Sequence, residues 1–225
     1  MLKAENVGKM YFRKSGQANY FYPVRDVSLT LTPGAVTVLT GRSGSGKTTL
    51  LHLLAGLLTP SEGKVYWDGT DLYSLPDAAL SRLRNEKIGI IPQGRSAVDT
   101  LTVLENVQLP AALYRRRMPD AAPWLASLGI GHLAQARPAE LSGGELRRVA
   151  IARALAAEPE VILADEPTGD LDDENTERVL RIFRQAAQAG KAVFLVTHEL
   201  DALRYADFAY CMENGCMTPC ETQME

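Results

Sequence analysis

The chain has 225 residues, 46% of them hydrophobic, which suffices for a sizeable core in one large domain or two interlocked ones. A net charge of −3 and a pI near 5.7 leave no electrostatic footprint for nucleic acid, and the one basic cluster, Arg115-Arg116-Arg117, reads as a solvated turn after an apolar helical stretch. No run approaches the ~18 apolar residues of a membrane-spanning helix and Met1-Leu2-Lys3-Ala4-Glu5 lacks the core of a signal peptide, so a cytosolic chain is expected, with any spanning part in another subunit.

In chain order, the N-terminal third reads as strands: Val24 to Leu31, a turn at Pro33-Gly34, then Val36 to Thr40. The period then changes. Leu50, Leu51, Leu53, Leu54, Leu57 and Leu58 recur at helical spacing until Pro60 and Gly63, before a strand from Lys64 to Trp67. Helical signals dominate from Pro76 to Ala139, with helices predicted over Val103 to Leu113 and Pro123 to Leu128, and one strand from Lys87 to Ile91. Alternation then returns: helix Gly144 to Ala157, strand Val161 to Ala164, helix Glu174 to Gln188, and strands Ala192 to Val196 and Phe208 to Met212. Short apolar strands alternating with helices predict an α/β fold whose mostly parallel sheet is covered on both faces. Cys211, Cys216 and Cys220 lack the histidine of a familiar zinc pattern and read as free thiols, Cys211 as a buried strand residue.

Gly41-Arg42-Ser43-Gly44-Ser45-Gly46-Lys47-Thr48 fits a phosphate loop in the strand-to-helix context that such a loop requires. Glycines let successive N–H groups converge on phosphate oxygens, Lys47 reaches the outer phosphates, and Thr48 offers a hydroxyl to Mg²⁺, with Thr49 following. Val161-Ile162-Leu163-Ala164 ends abruptly in Asp165-Glu166-Pro167, two carboxylates at a strand's carboxyl end where ligands of open α/β sheets bind. Adjacent buried carboxylates call for a cation; Asp165 is the metal candidate and Glu166 the group that polarises the attacking water. Ser142 in Leu141-Ser142-Gly143-Gly144-Glu145 reads as a helix N-cap. A cap needs no glycine pair, so Gly143 and Gly144 suggest a second anion site: either two anions bind, or two copies of the chain share one nucleotide.

These three elements, in this order and over nearly the whole chain, resemble the ATP-binding-cassette (ABC) ATPases. The resemblance implies a P-loop ATPase fold with a RecA-like core, an N-terminal antiparallel β subdomain and an inserted helical subdomain, placed at residues 93–157 between core segments 1–92 and 158–225. It also implies a dimer in which Ser142, Gly143 and Gly144 of one copy close over ATP and Mg²⁺ held by the other. Carried over residue by residue, Gln93 senses metal and water, His198 contacts the γ-phosphate, Asp170 lies in the loop between protomers, and Tyr11 stacks on adenine in preference to Phe12, Tyr20 or Tyr22. The segments Leu53-Leu54-Ala55-Gly56-Leu57, Leu104-Glu105-Asn106-Val107, Arg147 to Ala154 and Leu163 to Gly169 look like the macrolide-export and lipoprotein-release group. That group drives permeases with large extracytoplasmic domains, and the short stretch after the last strand agrees with it. Regulation of an extracellular enzyme through a membrane partner, and a soluble ABC ATPase, are the alternatives. Two departures stand out: Pro92, Gly94 and Arg95 replace the aromatic or polar residues usual around the glutamine, so Arg95 is expected to read a particular permease helix, and Leu146 replaces a polar residue.

Overall fold

The computed structural model describes residues 1–15 and 17–220. Two long strands, β1 (Leu2–Ser15) and β2 (Gln17–Leu31), pair antiparallel and are followed by β3 (Val36–Thr40), the phosphate loop and α1 (Lys47–Leu54). The strands β4 (Glu62–Trp67) and β5 (Thr70–Asp71) complete a four-stranded antiparallel sheet in the order β2-β1-β4-β5. Then come α2 (Asp77–Lys87), β6 (Ile88–Ile91), α3 (Val103–Leu113), α4 (Ala122–Ser127) and α5 (Gly143–Ala156). The chain returns to the core through β7 (Val161–Asp165), α6 (Asp173–Gln188), β8 (Ala192–Thr197), β9 (Phe208–Glu213) and β10 (Cys216–Pro219). The second sheet runs β10-β9-β3-β8-β7-β6, parallel except for the edge strand β10.

Side-chain alternation explains why this sheet lies between two layers. Val36, Val38, Ile162, Ala164, Val193 and Leu195 point to one face, where they pack with α5 and α6 around Phe183 and Leu155. Leu39, Val161, Leu163, Phe194 and Val196 point to the other, against the leucines of α1 and the inner face of the antiparallel sheet. Strands buried on both faces have no polar side to show, hence their unbroken apolar sequence. Every residue of β3, β7 and β8 is buried.

Three expectations are corrected. Leu57 and Leu58 lie beyond α1, which ends at Leu54 because Gly56, at φ +67°, turns the chain out of the helix; Leu57 is exposed. Cys211 is exposed rather than buried, since its neighbours Tyr210 and Met212 are the β9 residues that face the core. Cys211 and Cys220 are disulfide-bonded, not free, because the β9–β10 hairpin folds the two back onto each other; Cys216 alone is free among the described cysteines. Leu146, noted as a departure, is 6% exposed and belongs to the core beneath α5.

Candidate functional site

Thr40 ends β3, and the chain turns through two tight approaches before α1 begins. Gly41 stands at φ +154°, where a Cβ would come within 2.4 Å of the Met212 carbonyl oxygen, and Gly46 at φ +114°, where a Cβ would lie 1.8 Å from the Pro23 carbonyl oxygen. The loop is thus held between the β9–β10 hairpin on one side and β2 on the other. Lys47, 6% exposed, donates from Nζ to the carbonyls of Gly41 (2.6 Å) and Arg42 (3.2 Å), and Nζ lies 3.9 Å from Oε1 of Glu166.

Asp165 closes β7, and Glu166 follows in the left-handed region at φ +47°, a strained conformation for a residue with a Cβ. Its backbone N–H donates to Val196 (2.8 Å), which ties this turn to β8. Oε2 of Glu166 receives three donors: the Thr197 hydroxyl (3.1 Å), the His198 N–H (3.3 Å) and His198 Nδ1 (2.9 Å). An ionised carboxylate only accepts, so Nδ1 carries the imidazole proton. Burial raises the Asp165 carboxyl above its ordinary range, opposed by the Thr48 hydroxyl beside it, and the Glu166 charge adds to the rise. The buried side-chain polar atoms without a hydrogen-bond partner among the described residues are three: Ser45 Oγ and both carboxylate oxygens of Asp165. A divalent cation fits the Asp165 carboxylate beside the Thr48 hydroxyl, since hard oxygen ligands at a buried carboxylate are what Mg²⁺ takes.

A cavity of about 330 Å³ is lined by Ser43, Gly44, Gly46, Lys47, Thr48, Thr49, Gln93, Glu166 and His198, together with Phe21 and Pro23. It therefore gathers most of the residues singled out from the sequence. Gly41 and Ser45 line the neighbouring cleft against β9 instead. Tyr11 is not on the cavity wall. It sits directly opposite Phe21 in the β1–β2 register, on the same face, with Lys9 Nζ 5.3 Å from its ring centre. Phe21 is the aromatic that sequence reasoning passed over. Only the hairpin register, fixed by bulges at Ala4/Val7, Val7/Lys9 and Lys9/Tyr11, reveals which ring faces the loop.

Ser142, Gly143 and Gly144 lie apart from this cavity, at the start of α5. Ser142 and Glu145 form a reciprocal cap: Glu145 N–H donates to Ser142 Oγ (3.3 Å) and Ser142 N–H to Glu145 Oε2 (2.7 Å). These bonds hold the Glu145 carboxyl below its usual range. Gly143 has open space around it, whereas a Cβ on Gly144 would lie 3.1 Å from the carbonyl oxygen of Asp170, itself at φ +66°. Sequence reasoning also overlooked two arginines of α5. Arg147, 6% exposed, donates to the Pro92 carbonyl (2.8 Å), and Arg153 donates to the Ser96 carbonyl and hydroxyl (both 2.7 Å). They fasten both ends of the loop that carries Gln93, Gly94 and Arg95, all three exposed. No helix among the described residues is long and apolar enough to cross a membrane.

Comparison with known proteins bears on the family and the fold. Residues 24–169 match the family model described as ABC transporter. The chain is 42% identical over 192 residues to the uncharacterized ABC transporter ATP-binding protein Rv2564 of Mycobacterium tuberculosis, a match covering 82% of this chain and 57% of that protein. Among solved structures, the dimeric post-hydrolysis state of the ATP-binding cassette MJ0796 bound to ADP and Pi superposes with a TM-score of 0.89 at 35% identity, over 97% of this chain and 98% of that one. An ATP-binding subunit of an ABC transporter gives a TM-score of 0.82 at 25% identity, over 98% and 90% of the two chains. The chain therefore belongs to the ABC transporter family and has the fold of its ATP-binding cassettes.

Proposed function

We propose that this chain binds ATP with Mg²⁺, hydrolyses it as a dimer of two identical cassettes, and drives a separate membrane permease of the macrolide-export or lipoprotein-release kind from the cytoplasmic face. The observation that carries the reading is the buried Asp165 carboxylate at the strand end, with the Thr48 hydroxyl of the phosphate loop beside it and no partner in good hydrogen-bonding geometry for either oxygen among the described residues. Unpaired buried carboxylate oxygens are costly, and a phosphate-bound cation would satisfy them. The dimeric neighbour with ADP and Pi supports two copies as the working unit.

The chemistry assigned to these residues is positional. Lys47 has three N–H donors and the loop carbonyls occupy two, so one remains for a phosphate oxygen. Thr48 and Asp165 would hold Mg²⁺, which supplies charge neutralisation at the phosphates when bound. Three donors fix Oε2 of Glu166, leaving Oε1, the oxygen nearer Lys47, to accept the proton of the attacking water. His198 keeps that carboxylate oriented, and Gln93 reports the state of the site to the loop that ends in Ser96. Ser142, Gly143 and Gly144 of the second copy complete the phosphate shell, with Asp170 beside them.

Glu166→Gln tests the assignment. It should bind ATP and accumulate a nucleotide-filled dimer on size exclusion while phosphate release falls at least ~100-fold, the scale of losing a general base. Turnover at the wild-type rate would remove Glu166 from the mechanism. Copurification from detergent-solubilised membranes identifies the permease.

A further inference from the structure

The C-terminal hairpin is the outer wall of the phosphate loop. Parallel pairing of β3 with β9 ends at Thr40 opposite Cys211, one residue before Gly41. The next β9 residue, Met212, presses its carbonyl on Gly41, and Gly215, in the hairpin turn, donates its N–H to the Ser45 carbonyl (3.2 Å). Strand β10 is the sheet edge and its ladder runs to β9 alone. Past its end, Cys220 is bonded to Cys211 at a sequence separation of 9, and both sulfurs sit beside the Thr40 hydroxyl, at 3.5 Å for Cys211 and 3.6 Å for Cys220. Cys211 is exposed and Cys220 half-buried, so a soluble thiol reaches the bond.

We infer that Cys211–Cys220 is a reversible thiol–disulfide modification site whose oxidation state sets how firmly the hairpin backs the phosphate loop. The partner chemistry is a dithiol. One of its thiolates attacks a sulfur of the bridge, a mixed disulfide forms, and the second thiolate resolves it; the dithiol is oxidised to its own disulfide as Cys211 and Cys220 take up two electrons and two protons. Closed, the bridge holds the tail of an edge strand against β9. Opened, β10 is left to its four-residue ladder, the Cys220 N–H bond to the Ala209 carbonyl (2.9 Å) and the turn bonds of Gly215, and the two thiols compete for the Thr40 hydroxyl, which in the closed state donates to the Tyr210 carbonyl (3.3 Å). The loop then has more freedom to lose when phosphate binds.

The inference rests on the nucleotide reading above, and the experiment separates the two. Alkylation and mass measurement of the air-oxidised full chain should count one reactive thiol, Cys216, and three after dithiothreitol. Titration with a fluorescent ATP analogue should show binding weakened about fivefold on reduction, the equivalent of ordering roughly one more backbone residue. Cys216→Ser should keep that shift. The double variant Cys211→Ser, Cys220→Ser should bind like reduced protein whatever the reductant, and if it does not fold, reduction of the unaltered chain carries the test. Three reactive thiols before reduction, equal affinity in both states, or loss of the shift in Cys216→Ser would each overturn the inference. Failure of either state to bind the analogue overturns the nucleotide reading instead.

Discussion

Replacing Gly46 by alanine should abolish nucleotide binding for a reason that can be computed from the structure. The new Cβ would stand 1.8 Å from the Pro23 carbonyl oxygen, 2.9 Å from its carbon and 3.0 Å from Met212 Cε. A C···O contact tolerates about 3.3 Å, so the loop or β2 must give way by ~1.5 Å. The obstacle is the backbone of β2 rather than the end of a flexible side chain, and the residue stands at φ +114°, which adds roughly 1–2 kcal/mol of conformational cost. Displacements of ~1 Å near reacting groups cost on the order of 100-fold, so ATP hydrolysis should fall at least that far. Gly44→Ala is the internal comparison: its φ of +79° carries the same conformational penalty, but nothing lies within 4 Å of the added atom. The loss there should stay near 10-fold, the equivalent of ~1.4 kcal/mol. Phosphate release and binding of a fluorescent ATP analogue, measured on both variants beside thermal melts, decide the matter. Hydrolysis by Gly46→Ala within threefold of the unaltered chain, or a Gly44→Ala loss as large as that of Gly46→Ala, would refute the steric argument.

Arg147→Met strips the Pro92 carbonyl of a charged donor, worth about 1.5–3 kcal/mol, and should lower kcat roughly 10-fold with KM for ATP nearly unchanged; Arg147→Lys should recover part of the rate. A parallel rise in KM would point to a fault in the phosphate loop instead. Because burial raises the Asp165 pKa from its unfolded value of 3.8, the folded state favours the protonated acid, so this residue's contribution to stability is fullest below pH 3.8 and is lost as pH rises through the higher folded value. In metal-free protein, Asp165→Asn should therefore melt higher than the unaltered chain at pH 7, and the gap should narrow toward pH 4; a lower melting point at pH 7 would contradict the burial argument. Phe21→Ala should weaken ATP affinity about 10-fold, within the range for base–aromatic stacking, and more than Tyr11→Ala. Equal losses would return the adenine contact to both rings.

The phosphate loop and the Asp165-Glu166 strand end were legible because each depends on neighbours along the chain: a glycine spacing, an apolar run, an abrupt charge. Helix α3 emerged with the bounds Val103–Leu113 for the same reason, its capping residue Thr102 and Glu105 being local. Contacts across the fold were not legible. Phe21 faces the cavity through a register that three bulges shift, and Cys211 meets Cys220 only because a hairpin returns the chain. Arg147 and Arg153 look like any solvated residues of a helix until the loop from Pro92 to Ser96 is laid against them. Leu146 broke the expected polar pattern and proved to be a core residue, which only the packing beneath α5 explains.

The backbone of Glu166, at φ +47°, is held in a strained conformation by bonds that its own side chain makes. A glycine there would relieve on the order of 1 kcal/mol of conformational cost. It would also remove the carboxylate that Thr197 and His198 hold in place. The buried Thr197 hydroxyl would then lack its acceptor, at about 1–3 kcal/mol, so the bonds of the side chain outweigh the strain of the backbone. Glu166→Gly should accordingly melt no higher than the unaltered chain, and it should be inert.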